Sequence, residues 1–397
     1  MNSNHQITNS PTHQLLGLYI HVPFCSAICN YCNFNRGLFD AALKAQYVEA
    51  LLTEIRHPGL NSCVTPQSSD PRPAADTIYF GGGTPSLLEP DEIAQIIDAC
   101  VVSFDVAADR EVTLEANPET VTSARLAAFR TAGVTRLSFG VQSFREDELR
   151  RLSRLHSADR ARAAVAEARA AGFDNVSLDL MMWLPQQRVE EWLESVDEAL
   201  ALRTEHLSLY LLEVYPNAPL KDEMARARWS QAPDDDAAAM YLTAMERLEA
   251  AGYEQYEISN VARPGRRSRH NLKYWTDGEW LGFGCGGHST RDGVRWKNVA
   301  ATDEYIGRIR RGEPTAVDVR RLSPRERLGD ALFTGLRLVE GIDLADISRR
   351  YGVDVWRRHG RELEPFLETG VLRREGPRLW LTRGGMLLAH EVMAVFV

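Results

Sequence analysis

Three cysteines, Cys25, Cys29 and Cys32, fall within the segment His21-Val-Pro-Phe-Cys-Ser-Ala-Ile-Cys-Asn-Tyr-Cys32. The spacing C-x3-C-x2-C allows three thiolates to hold three irons of a [4Fe-4S] cluster, leaving the fourth iron open to a bound molecule. An open position on a redox metal serves chemistry rather than bracing. Zinc is the competing reading, but it wants a fourth ligand and usually paired C-x2-C motifs. A disulfide framework suits a small secreted chain, not 397 residues with six cysteines. Cys100 follows an apolar helical pattern and reads as a core thiol. Cys63 lies in a polar segment, and Cys285 in a glycine-rich stretch where a site role stays open.

Elements that could position these thiols alternate along the chain. Strands are expected at Leu18–Val22, Thr77–Phe80, Glu111–Ala116, Arg136–Val141, Asn175–Met181 and His206–Val214. Helices are expected at Ala41–Arg56, Asp91–Val102, Ser123–Ala132, Asp159–Ala171, Val189–Ala201 and Asp235–Ala251, several closed by a glycine such as Gly133, Gly172 or Gly252. Six successive strand–helix units imply parallel strands with right-handed crossovers, short of the eight that close a barrel. The expected fold class is α/β, a partial (β/α)6 TIM-like barrel. His57 to Asp76 reads as a surface loop and Arg263 to Arg269 as a solvated basic turn. Tyr274 to Trp296 is rich in Gly, Trp and His without clear periodicity. After about Thr315, short helices lead to a hairpin around Glu375-Gly376-Pro377, a winged-helix-like α+β pattern. That part holds 14 arginines against 12 acidic residues, which favours a structural or docking role over DNA binding. The expected division is a disordered tail over 1–15, a barrel over 16–300 and a C-terminal domain over 316–397.

In a parallel β/α array the loops after the strands converge on one face, and sites form there. The cysteine loop follows the first strand and Gly81-Gly-Gly-Thr-Pro85 the second. Glu115 and Gln142 close the third and fourth, Asp179 lies in the fifth and Glu213 near the end of the sixth. Glycines let backbone approach a zwitterion closely, and carboxylates accept hydrogen bonds from hydroxyls or an ammonium. Asp179 sits in the apolar run Val176–Met182, and a buried carboxylate needs a partner. Arg154 reads equally as a surface helix arginine or as a bidentate carboxylate clamp.

These residues resemble a known family. Tyr19-Ile-His-Val-Pro-Phe-Cys25…Cys32, Gly81–Pro85, Gly140-Val-Gln-Ser-Phe144 and His270-Asn-Leu-Lys-Tyr-Trp275 resemble the radical S-adenosylmethionine (SAM) superfamily, in its HemN/HemW family. The resemblance implies a radical SAM barrel with a HemN-type C-terminal domain. It also implies a [4Fe-4S] cluster on Cys25, Cys29 and Cys32, whose free iron chelates SAM for one-electron cleavage to methionine and a 5′-deoxyadenosyl radical. Tyr19, Gly82, Glu115, Gln142, Arg154 and Asp179 match SAM-contacting positions, and Tyr31, Gly83 and Thr84 match further contacts. Phe34 stands where the oxidase branch has a fourth cysteine. The other branch carries H-N-x-x-Y-W, matched from His270, and is implicated in holding heme and passing it to respiratory hemoproteins. A neutral imidazole suits iron, although a hydrogen-bonded histidine in a packed aromatic region is the alternative for His270. Trp183 replaces a customary glycine and is expected to narrow the SAM site. The implied function is a heme chaperone, with oxygen-independent coproporphyrinogen III oxidase or a radical SAM alkyl transferase as the rival enzymes.

Composition bounds the rest. Hydrophobic content of 44% and charged content of 25% are those of a globular protein. A net charge of −9 argues against a general nucleic-acid binder. No apolar run approaches the ~18 residues of a bilayer span, and the polar Met1–Gln14 lacks a signal-peptide core. The expected location is therefore the cytoplasm. Any membrane association is expected to be peripheral, through recipients, and the oligomeric state is open.

Overall fold

The computed structural model describes residues 15–57 and 72–397. The expected N-terminal tail to residue 14, Cys63 and most of the His57–Asp76 loop lie outside the described residues. Six parallel strands neighbour one another in chain order: Leu16–Val22, Ala74–Gly82, Asp105–Ala116, Arg136–Gln142, Val176–Met182 and His206–Leu211. The intervening helices are Ala41–Arg56, Pro90–Ser103, Ser123–Thr131, Ala158–Ala170 and Val189–Ala201, with Asp234–Ala250 after the last strand. The sheet does not close on itself. Its sixth strand pairs antiparallel with Asn260–Ala262 and its first parallel with Trp280–Phe283. The architecture is the expected α/β partial barrel.

Alternation along each strand explains the layering. Leu18, Ile20 and Val22 are fully buried against the helices, each stabilising the fold by roughly 1.5–3 kcal/mol. Gly17, Tyr19 and His21 take the opposite face. Helix ends follow local chemistry: Thr122, Ser157 and Ser268 accept bonds from first-turn amides. Gly133, Gly172 and Gly252 sit just past helix ends at φ of +105°, +88° and +86°, where a side chain would be strained.

Two stretches depart from expectation. Tyr274–Trp296 is not irregular: Trp280–Phe283, His288–Arg291 and Val294–Asn298 form strands, joined by Ala316–Arg321 into an antiparallel extension of the sheet. Four-residue strands carry too little alternation to read, but Asp292-Gly293, both at positive φ, is a hairpin signal that was available. The sixth strand ends at Leu211 rather than Val214, which frees the following residues to line the barrel mouth. Beyond Arg321, four helices (Pro324–Gly335, Leu344–Tyr351, Val355–Glu368 and Ala389–Met393) accompany a small sheet in which Arg378–Leu381 lies between Ile342–Asp343 and Leu372–Glu375.

A buried carboxylate ties the extension to the barrel. Glu54, on the first helix and 1% exposed, accepts bonds from Gly284 N, Asn298 Nδ2, Tyr305 OH and Thr315 Oγ1 at 2.7–3.1 Å. Burial raises its pKa, and those donors offset the effect. The Gly284–Gly287 turn that Glu54 holds supports the cysteine loop from behind. Asn35 Nδ2 donates to the carbonyls of Cys285 and Ala300 at 3.1 and 3.0 Å, and Asn35 O accepts from His21 Nε2 at 2.8 Å. Cys285 contributes its backbone to this brace. Its thiol is buried, with its pKa raised by burial.

Candidate functional site

The cysteine loop and the loops after the other strands enclose one cavity of about 420 Å³ at the C-terminal ends of the strands. Cys25, Cys29 and Cys32 are free thiols on its wall, and Cys32 N donates to Cys29 O at 3.2 Å. Among the described residues no three His, Cys, Asp or Glu side chains converge on one ion position. The glycine loop is stitched to them: Gly83 N donates to Val22 O at 2.8 Å and Thr84 N to Phe24 O at 2.7 Å. A Cβ on Gly83 would lie 3.0 Å from Cys25 Sγ and 2.7 Å from Phe24 O, so only glycine fits.

The polar residues expected at the strand ends largely meet here. Tyr31, Gly82, Gly83, Thr84, Glu115, Gln142, Arg154, Asp179 and Glu213 all line the cavity. Arg154 stands on the cavity wall and is not a surface helix arginine. Its Nη1 donates to Cys29 Sγ at 3.5 Å, and its Nη2 to Asn117 Oδ1 at 2.8 Å and Gly140 O at 2.7 Å. Burial works against its charge, but Tyr31, Cys29 and Glu119 outweigh that and hold the guanidinium protonated. Its buried Nε has no partner. Glu115 accepts from Tyr79 OH at 2.8 Å and Gly82 N at 3.2 Å. Asp179, buried with its pKa raised by that burial, accepts from Ser138 Oγ at 3.2 Å.

These features fit the groups that the motif implies. Three thiols stand beside a glycine-only cradle, with a cation holding an unpartnered donor and two carboxylates opposite. Asn117, which joins Arg154 to Thr84 Oγ1 (3.2 Å), escaped the sequence reading. Its place two residues after Glu115, on the same strand face, was the available signal.

Three residues lie apart from the cavity lining. Tyr19 does not reach the cavity. It lies below it, ring stacked on Tyr79 with centroids 6.1 Å apart, and its hydroxyl meets His21 Nδ1 at 3.2 Å. Trp183 does not narrow the site, because its indole turns away to donate to Ala232 O at 2.7 Å. The backbone there has φ +62°, which accounts for the customary glycine and makes tryptophan a strained occupant. His270 is not at the site either. It packs beside Gly17 and Thr77, at the opposite end of the strands from the cysteines. Its Nδ1 meets Thr77 Oγ1 at 2.8 Å and its Nε2 meets Tyr274 OH at 2.9 Å, so both nitrogens are engaged. Burial pushes its pKa down to about 3, keeping the ring neutral. Its surroundings are these hydrogen-bond partners and the packed rings of Tyr79 and Tyr274.

Burial pushes the Glu115 carboxyl up to about 7 from its ordinary value, with Asp179 adding to the effect. The folded chain therefore favours the protonated form, and stability is lost as pH rises from the ordinary carboxyl range through 7. Glu115→Gln in the metal-free protein is expected to match wild type near pH 5 and to exceed it at pH 8 by on the order of 2 kcal/mol, as seen in paired urea melts. An equal gap at both pH values would show that the shift is absent.

The model for the radical SAM superfamily matches residues 19–199, and that for the HemN C-terminal domain matches 322–388. Heme chaperone HemW of Bacillus subtilis is 34% identical over 96% of this chain and 98% of that protein. Heme chaperone HemW of Mycobacterium tuberculosis is 38% identical over 96% and 94%. The solved HemN of Escherichia coli, a coproporphyrinogen III oxidase, superposes with TM-score 0.83 over 97% of this chain and 90% of that one, at 22% identity, which speaks to the fold alone. At this identity and coverage the chain belongs to the HemW family of the radical SAM superfamily.

Proposed function

We propose that the protein is a heme chaperone, binding heme and passing it to hemoprotein acceptors, with a cluster and SAM resident in the strand-end cavity. The reading is carried by the near full-length likeness to proteins named heme chaperone. Phe34 agrees with it: it lies on the cavity wall, 65% exposed, in the place of the oxidases' fourth cysteine.

Cys25, Cys29 and Cys32 would hold three irons, and Gly82, Gly83, Thr84, Glu115, Gln142, Arg154 and Asp179 would line the SAM space, with Tyr31 beside them. Bound together, the two groups supply one-electron chemistry, and the protein contributes orientation and exclusion of water. Arg154 offsets thiolate charge at Cys29 and presents Nε to a carboxylate. Glu115 and Asp179 accept from hydroxyl or ammonium donors, and Met181 and Leu212 keep that end of the cavity apolar. Among the described residues no helix is long and apolar enough to cross a membrane. The proposed setting is the cytoplasm, with respiratory hemoproteins as recipients and membrane contact only through them.

The test is anaerobic. Protein reconstituted with iron and sulfide is titrated with heme, then mixed with an apo-hemoprotein, while a parallel sample receives coproporphyrinogen III, SAM and a reductant. A shifted Soret band that moves to the acceptor is expected, with no protoporphyrinogen formed. Porphyrinogen product without heme binding would transfer the reading to the oxidase.

A further inference from the structure

Residues 212–233 run from the sixth parallel strand to the Asp234–Ala250 helix and carry one short helix, Pro219–Ala227. They form a strap along the opening, and Leu212, Glu213 and Tyr215 supply part of the cavity wall. Little core holds the strap down. Of its residues only Leu212, Ala218 and Leu220 are buried. Leu212 and Leu220 pack with Leu152, Met181 and Leu184 in a small cluster separate from the main core. A segment with so few buried apolar contacts sits at the low end of local stability and opens more readily than the barrel beneath it. A short set of polar contacts therefore decides how firmly it stays closed.

Those contacts meet at the turn after the fifth strand. Trp183 Nε1 donates to Ala232 O at 2.7 Å and Gln186 N to Ser230 O at 2.9 Å. Gln231 Nε2 reaches back to Trp183 O at 2.9 Å and to Leu212 O at 3.2 Å, so it ties the end of the strap to its beginning and to the turn. Trp183 and Gln186 both hold positive φ, +62° and +64°, which side chains disfavour. Strain of this kind persists where several contacts over-determine the backbone, and it gathers at clamps and switches. The turn is also linked to the cysteine loop: Arg151 Nη1 donates to Pro185 O at 2.5 Å, and Asn30 Nδ2 to Arg151 O at 2.8 Å. The strap helix hangs on the same asparagine, through Leu220 N to Asn30 O at 3.0 Å and Asn30 Nδ2 to Glu223 Oε2 at 2.6 Å.

We propose that Trp183 and Gln231 are positioning residues that latch this strap across the cofactor cavity, so that SAM enters and leaves when the latch opens. The proposal rests on the reading that SAM occupies the cavity and adds how its passage is controlled. Neither residue is part of the cavity lining; both act through Leu212 and the strap that follows it. A gate of this kind has a kinetic signature. Where the closed strap predominates, association and dissociation both scale with the fraction of time it is open. Weakening the latch then speeds both by the same factor and leaves the affinity unchanged. Loss of a direct contact would instead raise dissociation alone and weaken binding.

The experiment uses cluster-reconstituted protein under anaerobic conditions, with iron content and circular dichroism as the fold check. Uptake and release of radiolabelled SAM are timed by rapid filtration, and hydrogen–deuterium exchange across 183–187 and 212–233 is read by mass spectrometry. Trp183→Phe keeps the ring and removes its N–H donor, and Gln231→Leu removes the donor from the other side. Each is expected to speed both rates by about fivefold, the worth of an ordinary hydrogen bond, with the dissociation constant within about twofold of wild type. Exchange across 212–233 should quicken in both variants. Arg226→Ala, whose side chain bonds only within the exposed face of the strap helix, should change neither rates nor exchange. Rates within about twofold of wild type in both latch variants, or a rise in dissociation alone, would overturn the latch and leave the cofactor reading intact. No SAM binding by wild type would overturn the cofactor reading, and unchanged exchange in both variants would overturn the latch by itself.

Discussion

Cys29→Ser is expected to remove the iron–sulfur absorbance of anaerobically reconstituted protein, and SAM binding with it. With three donors proposed for the whole cluster, each thiol would anchor a different corner. A serine hydroxyl stays protonated where a thiol can ionise, and only the ionised form is a strong iron donor. Cys29 is also the thiol that Arg154 touches, at 3.5 Å, so the substitution removes the sulfur that the guanidinium donates to. Cys285→Ala supplies the contrast. Its thiol lies behind the loop and takes a long bond of 3.7 Å from Asn35 Nδ2, while its backbone makes the shorter ones, so iron and sulfide content should match wild type. Full iron and sulfide in Cys29→Ser, or their loss in Cys285→Ala, would place the cluster elsewhere.

The contrast between these two cysteines shows what could be read from the chain. The C-x3-C-x2-C spacing is local, so its convergence needed only a short loop after a strand, and the structure supplies one. Glu115, Gln142 and Asp179 were legible for a related reason, since a polar residue at the end of an apolar parallel strand has one place to go. What eluded the sequence is which level of the barrel a side chain occupies. Tyr19, Tyr79 and Thr113 are register partners one level below the opening, and His270 closes the base beside Gly17 and Thr77. A conserved-looking motif announces a constrained environment, and packing constrains a residue as tightly as a ligand does. Glu54 was illegible because its four donors come from positions 284, 298, 305 and 315, and no pattern within a helix announces partners so distant. The antiparallel extension was missed since its strands are short, yet it is what braces the cysteine loop through Asn35.

The second large effect belongs to Arg154, whose role separates a cofactor clamp from an internal brace. As a brace it bonds Asn117 Oδ1 and Gly140 O, and removing one partner of such a buried charged set costs about 3–5 kcal/mol. As a clamp it would offer its buried, unpartnered Nε from the wall it shares with Cys29, Gln142 and Asp179. Arg154→Met retains the stem, and at equal iron content SAM affinity is expected to fall by about 100-fold, close to 2.7 kcal/mol, in anaerobic titration calorimetry. Arg154→Lys should recover little, because one ammonium cannot span Cys29, Asn117 and Gly140 while presenting a further donor. Both variants should melt earlier than wild type, so the melting temperature alone does not distinguish the roles. Affinity does: SAM binding within about threefold of wild type in the methionine variant would reduce Arg154 to a brace, and the carboxylate of SAM would then need another cation. Arg36 is the other cation lining the same cavity.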